Sequence, residues 1–450
     1  MANSKRVHIT KKQNLTINNH QIQKDNMSQE KKTNIVAIVT MCFIFAMISF
    51  VTNMGAPFGN IWGFTYPFAK AWGNLMNFAA YLFMGIPAGK MLIKYGYKKT
   101  ALIALVVGIV GLALQYLSSI AGAGTFVFNY DGIPVALNLL IYLLGAFICG
   151  FCVCMLNTVV NPMLNLLGGG GNRGNQYIQI GGSMNSLTAT LTPLLTGLLV
   201  GTVTEKTNMG EVAPLLFIGM AVFAISFFII NRVDIPEPTL GKEKPKYERS
   251  PIAFRHCLLG VIAIFFYVGI EIGIPMELNF YITNLGFEGS AAIGGTLAAS
   301  YWLMMLVGRA SSSLLSGKIS TKLQLTVVSS VAIILLLIAI FMPESSTFTV
   351  SGHEVPVKTI FIAACGLCTS IMWGGIFNLS VEGLGKYTEA ASGIFMTMVV
   401  GGGIMPLIQE AIAKSAGPIA SYWLVIAMLA YILYYALVGC KNVNKEIPVD

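Results

Sequence analysis

Charged residues are scarce in this chain of 450 residues. It has 28 Lys or Arg and 19 Asp or Glu, so about one residue in ten is charged, where soluble domains carry roughly a quarter. Acidic residues are the scarcest, since Asp131 is the one Asp or Glu between residues 34 and 204. So little charge cannot cover the surface of a soluble fold of this length. The composition excludes an ordinary cytosolic enzyme and a secreted disulfide scaffold, and it indicates a membrane protein.

The eight cysteines and four histidines form no recognisable metal or catalytic pattern. All the cysteines lie within or at the ends of apolar segments, and the CxxC of Cys365 and Cys368 has no second pair or nearby His to complete a metal site. The net charge of +9 is spread between apolar runs and not clustered, so it does not indicate a nucleic-acid partner. We therefore expect no metal, no cofactor, no nucleic-acid partner and no enzymatic activity.

Long apolar runs fill most of the chain. A helix that crosses the hydrocarbon layer needs about 20 mostly apolar residues. The runs are continuously apolar and do not alternate over about ten residues, which favours helices over the strands of a membrane barrel. The sequence predicts an all-α membrane protein with twelve transmembrane helices, at residues 34–55, 74–93, 100–121, 136–165, 177–203, 213–231, 256–282, 291–315, 323–342, 358–380, 390–412 and 418–439.

The positions of Lys and Arg predict how the chain is oriented. If the N-terminus is cytoplasmic, 24 of the 28 basic residues fall on the cytoplasmic side, and Lys70, Lys206, Lys358 and Lys414 fall on the other. Cytoplasmic loops retain an excess of positive residues. This distribution predicts a multi-pass protein of the cytoplasmic membrane with both termini in the cytoplasm.

The chain divides into two halves of similar organisation. Pro236, Pro238, Pro245 and ten charged residues mark residues 232–255 as a cytoplasmic linker. The basic loop after the second helix begins 56 residues into the first half, at Lys90, and 52 residues into the second, at Arg309. We predict two pseudo-symmetric six-helix bundles around a central cavity. The predicted units are a polar cytoplasmic tail, the two bundles with the linker between them, and a second cytoplasmic tail, at residues 1–33, 34–231, 232–255, 256–440 and 441–450.

Short motifs recur in order from the second to the eleventh predicted helix. They include Ile86-Pro87-Ala88 before the basic loop 89–99, Asn161-Pro162 with Arg173 and Asn175 after it, and residues 267–271, which read Tyr-Val-Gly-Ile-Glu. Further blocks are residues 307–309, 382–387 and 401–406. Together they resemble the major facilitator superfamily and, within it, the fucose/glucose/galactose permease family. Ile93 stands where the superfamily loop usually has Asp.

The resemblance implies a secondary transporter that works by alternating access. The family imports monosaccharides, commonly coupled to protons or sodium, so the implied substrate is a neutral hexose or deoxyhexose. Proton-coupled members carry one acid on the first helix and another on the fourth, whereas Asn53 and Asn157 stand near those positions here. Sugar passage is therefore implied more firmly than proton coupling. A facilitative sugar uniporter, a proton-antiport exporter and a sugar sensor that does not transport remain as alternatives.

Sugar recognition predicts which side chains line the cavity. Sugar hydroxyls both donate and accept hydrogen bonds, and a sugar ring packs against an aromatic face. Asn157 matches Asn378 by position in the two halves, so we expect these two to face each other, and Asn185 matches Gln409. Each amide has an alternative role in bonding a neighbouring helix, and Trp373 an alternative role in packing. The predicted substrate-binding residues are Asn53, Asn157, Asn161, Asn185, Tyr267, Glu271, Asn279, Trp373 and Asn378.

Acidic side chains within the membrane persist only when they are paired, protonated or facing water. Glu271, Glu277 and Glu410 are the candidates for coupling to sodium or a proton. Glu271 lies deepest, and it either binds a coupling cation or accepts sugar hydroxyls, with structural pairing as the alternative. Glu277 and Glu410 lie nearer the outer side, where solvation is easier.

Basic loops are expected to close the cytoplasmic side of the cavity. The residues predicted for this inner gate are Lys90, Lys94, Lys98 and Arg309, with Arg309 anchoring the end of the eighth helix. We assign Trp72 and Trp302 to packing or to the membrane interface, and expect Asn161 to satisfy backbone groups that Pro162 leaves free. The expected partners are a small sugar and the lipid bilayer, and we expect a monomer.

Overall fold

The computed structural model describes residues 35–54, 58–59, 61–69, 72–200, 207–237, 247–288, 290–350 and 352–449. The predicted tail 1–33 and residues 238–246 of the predicted linker lie outside the described residues. The described chain is mostly helical, with two small β-hairpins.

Helices of the first half precede the linker, and those of the second half follow it. The first half contains α1 (Ile35–Met54), α2 (Trp72–Ile120), α3 (Leu137–Leu167), α4 (Gly171–Val200) and α5 (Ala213–Arg232). The second half contains α6 (Arg255–Thr283), α7 (Ser290–Leu315), α8 (Thr321–Phe341), α9 (Lys358–Thr369), α10 (Met372–Val381), α11 (Thr388–Thr397), α12 (Gly401–Ala416) and α13 (Pro418–Tyr434).

Twelve helical spans are long enough to cross a membrane. Nine segments of the described chain are both long and apolar enough, among them Lys358–Val381, which joins α9 and α10, and Gly385–Ala416, which joins α11 and α12. The 49 residues of α2 are about twice the length of one span, and a break at Gly96 divides them into two. α4 and α7, with 30 and 26 residues, add two more. The prediction of an all-α membrane protein with twelve spans is confirmed.

Gly96 divides α2 because its backbone leaves the helical region. Its φ is 82°, in the left-handed region that favours glycine, and a Cβ there would collide with the carboxylate of Glu237. Glu237 follows α5 and accepts hydrogen bonds from the backbone N–H groups of Tyr97 at 2.7 Å and Lys98 at 2.8 Å. These are N–H groups that a new helix start leaves without a partner. The segment after α5 is thereby fixed to the basic loop of the same half.

The two hairpins mark one end of the helix bundle. β1 (Phe126–Tyr130) and β2 (Ile133–Ala136) connect α2 to α3, and β3 (Thr347–Val350) and β4 (His353–Pro356) connect α8 to α9. Because successive spans alternate in direction, both hairpins lie at the same end, which we call the hairpin end. The basic loop 90–99 lies at the opposite end, which we call the basic end.

The two halves contact each other most extensively through two pairs of helices. α2 packs against α11, and α4 packs against α7. Gly89 and Gly393 allow the first contact, since a Cβ on Gly89 would lie 2.9 Å from the Cα of Gly393. Small residues of this kind let membrane helices approach closely.

Candidate functional site

A cavity of about 880 Å³ lies between the two halves. Its wall is formed by residues of α1, α2, α3 and α4 from the first half and of α6, α7, α10 and α12 from the second. Six of the nine residues predicted to bind substrate line it: Asn53, Asn157, Asn185, Glu271, Asn279 and Trp373. The other three, Asn161, Tyr267 and Asn378, are buried behind the wall.

The cavity extends toward the hairpin end, and the halves meet at the basic end. Phe68 and Trp72, before and at the start of α2, and Lys414, near the end of α12, belong to its wall. Below it, Asn165 of α3 donates to the side-chain oxygen of Asn378 at 2.6 Å, and Gln179 of α4 donates to the carbonyl of Ile371 at 3.0 Å. These hydrogen bonds join the halves and separate the cavity from the basic end.

An ion pair between Glu271 and Arg309 lies in the cavity wall. The Arg309 Nη2 donates to Glu271 Oε1 at 3.0 Å, and both side chains are mostly buried. Arg309 Nε also donates to the carbonyl of Ser370 at 3.1 Å. A buried carboxylate in a membrane helix is stabilised by such a partner. Structural pairing, the alternative considered for Glu271, is therefore part of what this residue does.

Arg309 also crosses to the first half. Its Nη1 donates to Ser186 Oγ at 2.7 Å, to the carbonyl of Gly182 at 3.3 Å and to Asn185 Oδ1 at 3.4 Å, all on α4. The predicted eighth span, 291–315, matches α7, but Arg309 does not begin the loop that follows the helix. α7 continues for six residues beyond Arg309 to Leu315, so the guanidinium lies within the helix and reaches the cavity. Whether Arg309 acts in a gate stays a prediction.

The three lysines predicted for the inner gate do lie at the basic end. Lys90 and Lys94 are exposed, and the ammonium of Lys94 lies 5.0 Å from the ring centre of Tyr95. Lys98 donates to the carbonyl of Val233 at 2.9 Å, within the first half. Their role in closing the basic end stays a prediction.

The amides of α1 and α3 are held by neighbours around the cavity. Asn157 donates to the hydroxyl of Tyr81 at 2.9 Å, and Asn53 donates to the carbonyl of Ser49 at 2.8 Å. Asn161 donates to the carbonyl of Asn157 at 2.9 Å, whereas the carbonyl that Pro162 leaves free is that of Thr158, so the expected role of Asn161 at the proline is not what this bond does. Each of these amides is oriented by a fixed partner.

Trp373 has both a polar partner and a place in the wall. Its indole N–H donates to Asn161 Oδ1 at 2.9 Å across the two halves, and its ring lies edge-on to Tyr267, with 6.2 Å between the ring centres. Tyr267 is fully buried one helical turn before Glu271. Trp373 therefore presents part of its ring to the cavity from a fixed position.

Asn378 does not have the partner that the repeat predicts. Position counting predicts that it faces Asn157, but it contacts Asn165, two turns further along α3, and donates to Thr321 Oγ1 at 3.3 Å. Counting assumes unbroken helices, whereas the tenth span is interrupted between α9 and α10. The expectation that Asn157 and Asn378 face each other is therefore wrong.

Several wall residues were assigned elsewhere or missed by the sequence reasoning. Trp72 and Trp302 line the cavity, although both were assigned to packing or the interface, and Tyr81 and Gln179 line it as well. For Trp302 a signal was available, since it stands seven residues before Arg309 and therefore lies on the same face of α7.

The other two acids lie near the hairpin end of the cavity. Glu410 is in the wall and pairs with Lys414 one turn later, at 2.7 Å. Glu277 is 2% exposed and lies behind the wall. All four charged residues of the wall thus form two ion pairs, Glu271 with Arg309 and Glu410 with Lys414.

Comparison with known proteins identifies the family. The sequence pattern of the Major Facilitator Superfamily matches residues 36–406. A glucose/galactose transporter of Brucella abortus biovar 1 (strain 9-941) is 31% identical over 377 residues, which cover 81% of this chain and 84% of that protein. The L-fucose-proton symporter of Escherichia coli (strain K12) is 20% identical over 91% of this chain and 94% of its own length. The fold matches the crystal structure of the transporter FucP in the outward conformation with a TM-score of 0.74 and 20% identity, over 90% of this chain and 98% of that one. The chain belongs to the major facilitator superfamily, a family of multi-pass membrane transporters.

Proposed function

We propose that this protein carries a neutral monosaccharide across the cytoplasmic membrane by alternating access. The observation that carries the proposal is the neutral charge balance of the cavity wall, in which each charged group has a counter-charge within the protein. Among the described residues of the wall, an ionic substrate would find no free charge of opposite sign. The names of the relatives, glucose/galactose transporter and L-fucose-proton symporter, support a hexose or deoxyhexose as the substrate class.

The chemistry of the wall supports a sugar over an apolar solute. Asn53, Asn157, Asn185 and Gln179 offer both donors and acceptors, and the rings of Trp302 and Trp373 offer apolar faces. A small number of positioned polar groups among aromatic side chains is what binding pockets for small molecules commonly contain.

Glu271 and Arg309 are proposed to contact the sugar directly. Their pair faces the cavity, and a carboxylate and a guanidinium give stronger hydrogen bonds to hydroxyls than neutral groups do. Because Arg309 already balances the charge of Glu271, contact with sugar hydroxyls is the favoured one of its two predicted roles, and coupling to a cation is assigned elsewhere.

The proposed orientation places the hairpin end outside the cell and the basic end in the cytoplasm. It is supported by the excess of Lys and Arg in the segments of the basic end. In that orientation the described conformation faces outward, with the hydrogen bonds of Asn378 and Gln179 closing the inner side.

The test is counterflow in proteoliposomes that contain the purified protein. Vesicles are loaded with unlabelled glucose, galactose or fucose and diluted into the labelled sugar, and the same is done with glucuronate and glucosamine as charged analogues. We expect exchange of at least one neutral sugar and at least tenfold slower exchange of the charged ones, because about 1.4 kcal/mol of unfavourable burial gives a factor of ten. Vesicles without protein give the background. Equal exchange of charged and neutral sugars, or no exchange of any sugar, would overturn the proposal.

A further inference from the structure

Two buried oxygen atoms on neighbouring helices have no hydrogen-bond donor among the described residues. One is Oε2 of Glu277 on α6, and the other is Oε1 of Gln409 on α12. Glu277 is 2% exposed and Gln409 is fully buried. Buried acceptors of this kind are normally satisfied, because an acceptor without a partner has lost its hydrogen bonds to water and gained none in the protein.

Gly273 leaves room for Gln409 Oε1 against α6. A Cβ on Gly273 would collide with Gln409 Oε1, so this oxygen lies against the bare backbone of α6 at that residue. Glu277 follows Gly273 by four residues and shares its face of the helix. Helical side chains lean toward the N-terminus of their helix, so the carboxyl group of Glu277 leans toward the turn that contains Gly273. Two acceptors are thus directed into one gap between α6 and α12.

A proton on Glu277 satisfies both oxygens at once. It converts Oε2 from an acceptor into a donor, and Gln409 Oε1 is the free acceptor beside it. It also removes the negative charge of Glu277, because an unpaired ionised carboxylate is unfavourable inside a membrane. A metal cation would need a larger set of oxygen ligands than the two free ones found in this part of the described chain.

The other ionisable groups around this position are already engaged. On α12, Glu410 pairs with Lys414 at 2.7 Å, and on α13 the hydroxyl of Tyr422 donates to the carbonyl of Ile274 at 3.2 Å. The charged groups on the other helices against α6 have their partners farther away. Arg309 of α7 pairs with Glu271, Lys358 of α9 pairs with Glu344, and Glu389 of α11 accepts from Tyr97.

We propose that Glu277 and Gln409 form an occluded proton site that couples sugar transport to a proton gradient. The inference rests on the proposed sugar transport and names its coupling ion and the residue that binds it. The proton comes from water at the hairpin end and forms an O–H bond at Oε2 of Glu277, which donates to Oε1 of Gln409. When the cavity opens to the basic end, that O–H bond breaks and the proton passes to water there. Sugar and proton then cross in the same direction.

The proposed proton site uses other residues than the two acids that the family resemblance implies. Those acids belong to the first and fourth helices, where this chain has Asn53 and Asn157. Glu277 and Gln409 belong to the second half, and neither lines the cavity. The proton and the sugar therefore occupy separate places, and a variant of the proton site leaves the sugar-binding wall unchanged.

The experiment compares exchange with accumulation for wild type, Glu277→Gln, Gln409→Leu and the control Glu354→Gln. Glu354 is an exposed carboxylate of the second hairpin. Counterflow at equal pH measures sugar exchange, which needs no net proton movement. Accumulation of labelled sugar is measured with an acidic outside, with a sodium gradient, and with neither, and a pH dye inside the vesicles reports proton entry when sugar is added.

We expect wild type and Glu354→Gln to accumulate sugar under the proton gradient and to acidify the vesicle interior. Glu277→Gln is expected to keep counterflow within about twofold of wild type, while its inside-to-outside sugar ratio falls to about one and the acidification disappears. Gln409→Leu removes the acceptor. Its half-maximal accumulation is therefore expected about one pH unit lower, since one hydrogen bond changes an equilibrium by roughly tenfold.

Several outcomes would overturn the inference. They are accumulation by Glu277→Gln equal to wild type, loss of its counterflow together with its accumulation, accumulation by wild type under a sodium gradient alone, and exchange by wild type without accumulation under either gradient. The proposed function fails in a different way, by the absence of counterflow in wild type for every sugar tested.

Discussion

Arg309 and Glu271 form an ion pair at 3.0 Å in the wall of the central cavity, and the same guanidinium donates to three groups of α4 in the other half. The arginine belongs to α7 and the glutamate to α6, so one side chain joins three helices. A sugar that donates a hydrogen bond to Glu271 would weaken its pair with Arg309 and so change the contact between the halves. The pair is therefore placed to transmit substrate binding to the closure of the cavity.

The stability of the protein is expected to depend on this pair as a unit. Arg309→Gln leaves the buried carboxylate of Glu271 without its counter-charge, and we expect a loss of about 3–5 kcal/mol in the free energy of unfolding. The double variant Arg309→Gln/Glu271→Gln removes both charges and is expected to recover more than half of that loss. Thermal unfolding of the purified protein in detergent measures both effects. Equal losses in the single and double variants would contradict the ion pair.

Sugar affinity is expected to fall when Glu271 loses its charge. Glu271→Gln keeps the size of the side chain but replaces a charged acceptor, and a hydrogen bond to a charged group contributes about 1.5–3 kcal/mol. We therefore expect the sugar concentration for half-maximal counterflow to rise about 10- to 100-fold. Thr188→Ser, a substitution at a half-buried position of α4 that keeps the hydroxyl group, is the control. If uptake and its cation dependence are unchanged in Glu271→Gln, Glu271 does not belong to the sugar site.

How much of the site is predictable from sequence is clearest for these two residues. Glu271 is predictable because a carboxylate deep in an apolar run must be paired, protonated or facing water. The chain has very few such carboxylates. The position of Arg309 is harder to predict, because the excess of basic residues on the cytoplasmic side indicates a loop at Arg309 although the predicted span 291–315 contains it. In the structure α7 continues through Ser311, Ser312 and Ser313 to Leu315. The sequence therefore predicts the length of this helix but not that the guanidinium reaches the cavity.

The repeat between the halves predicts two bundles around a central cavity but not which residues meet across it. Asn157 and Asn185 were placed in the wall correctly, because their helices line the cavity. Asn378 and Gln409 occupy matching positions in the second half, yet both are buried behind the wall. The break between α9 and α10 changes the register of the tenth span, and no feature of a single sequence gives the size of that change.

Contacts at the basic end are expected to favour the described conformation. Asn378→Ala removes the hydrogen bond from Asn165 that joins the halves at 2.6 Å. One such bond contributes about 0.5–1.5 kcal/mol. We therefore expect the ratio of molecules open at the hairpin end to molecules open at the basic end to fall by about two- to tenfold. Alkylation of Thr52→Cys, which lies in the cavity wall, by a reagent that cannot cross membranes measures this population. The eight native cysteines are buried and give little background.

The matched control for that measurement is Ser330→Ala on α8. Its hydroxyl donates to the carbonyl of Thr326 in the same helix, so its removal changes no contact between the halves. We expect the alkylation rate of Thr52→Cys to be unchanged in this background. Asn165→Ala, which removes the donor of the same bond, should slow alkylation as Asn378→Ala does. Different responses of the two asparagine variants would show that their bond does not control the opening.

Glu237 is expected to stabilise the first half through the helix start that follows Gly96. Its carboxylate accepts from two backbone N–H groups, those of Tyr97 and Lys98. Loss of a helix cap lowers stability by about 0.5–2 kcal/mol, and we expect Glu237→Ala to lie at the upper end because both carboxylate oxygens are used. Unfolding in detergent measures the change, with Glu248→Ala in the same connecting segment as the control. An equal effect of both variants would assign the loss to charge and not to the cap.

Glu344, at the hairpin end, gives a pH dependence with a defined sign. Partial burial raises the pKa of Glu344, but hydrogen bonds from Lys358 at 2.6 Å and Tyr281 at 2.7 Å, with the charge of Lys358, lower the pKa below its ordinary value of 4.5. A lowered pKa means that the folded protein favours the ionised form. Its contribution to stability is therefore complete above the ordinary value and is lost as the pH falls through the lowered one. The carboxylate is 63% exposed, so the contribution is small.

The pH range separates Glu344 from the proton site at Glu277. We expect Glu344→Gln to lower Tm slightly at a pH above the ordinary pKa of 4.5, and the difference from wild type to shrink as the pH falls below that value. Sugar accumulation between about pH 5 and 8 should be the same in Glu344→Gln and wild type, because Glu344 stays ionised throughout that range. Tm and accumulation measured across the same pH series check both statements. A shift in the accumulation profile of Glu344→Gln within that range would mean that the ion pair of Glu344 and Lys358 at the hairpin end, and not Glu277 alone, responds to the proton gradient.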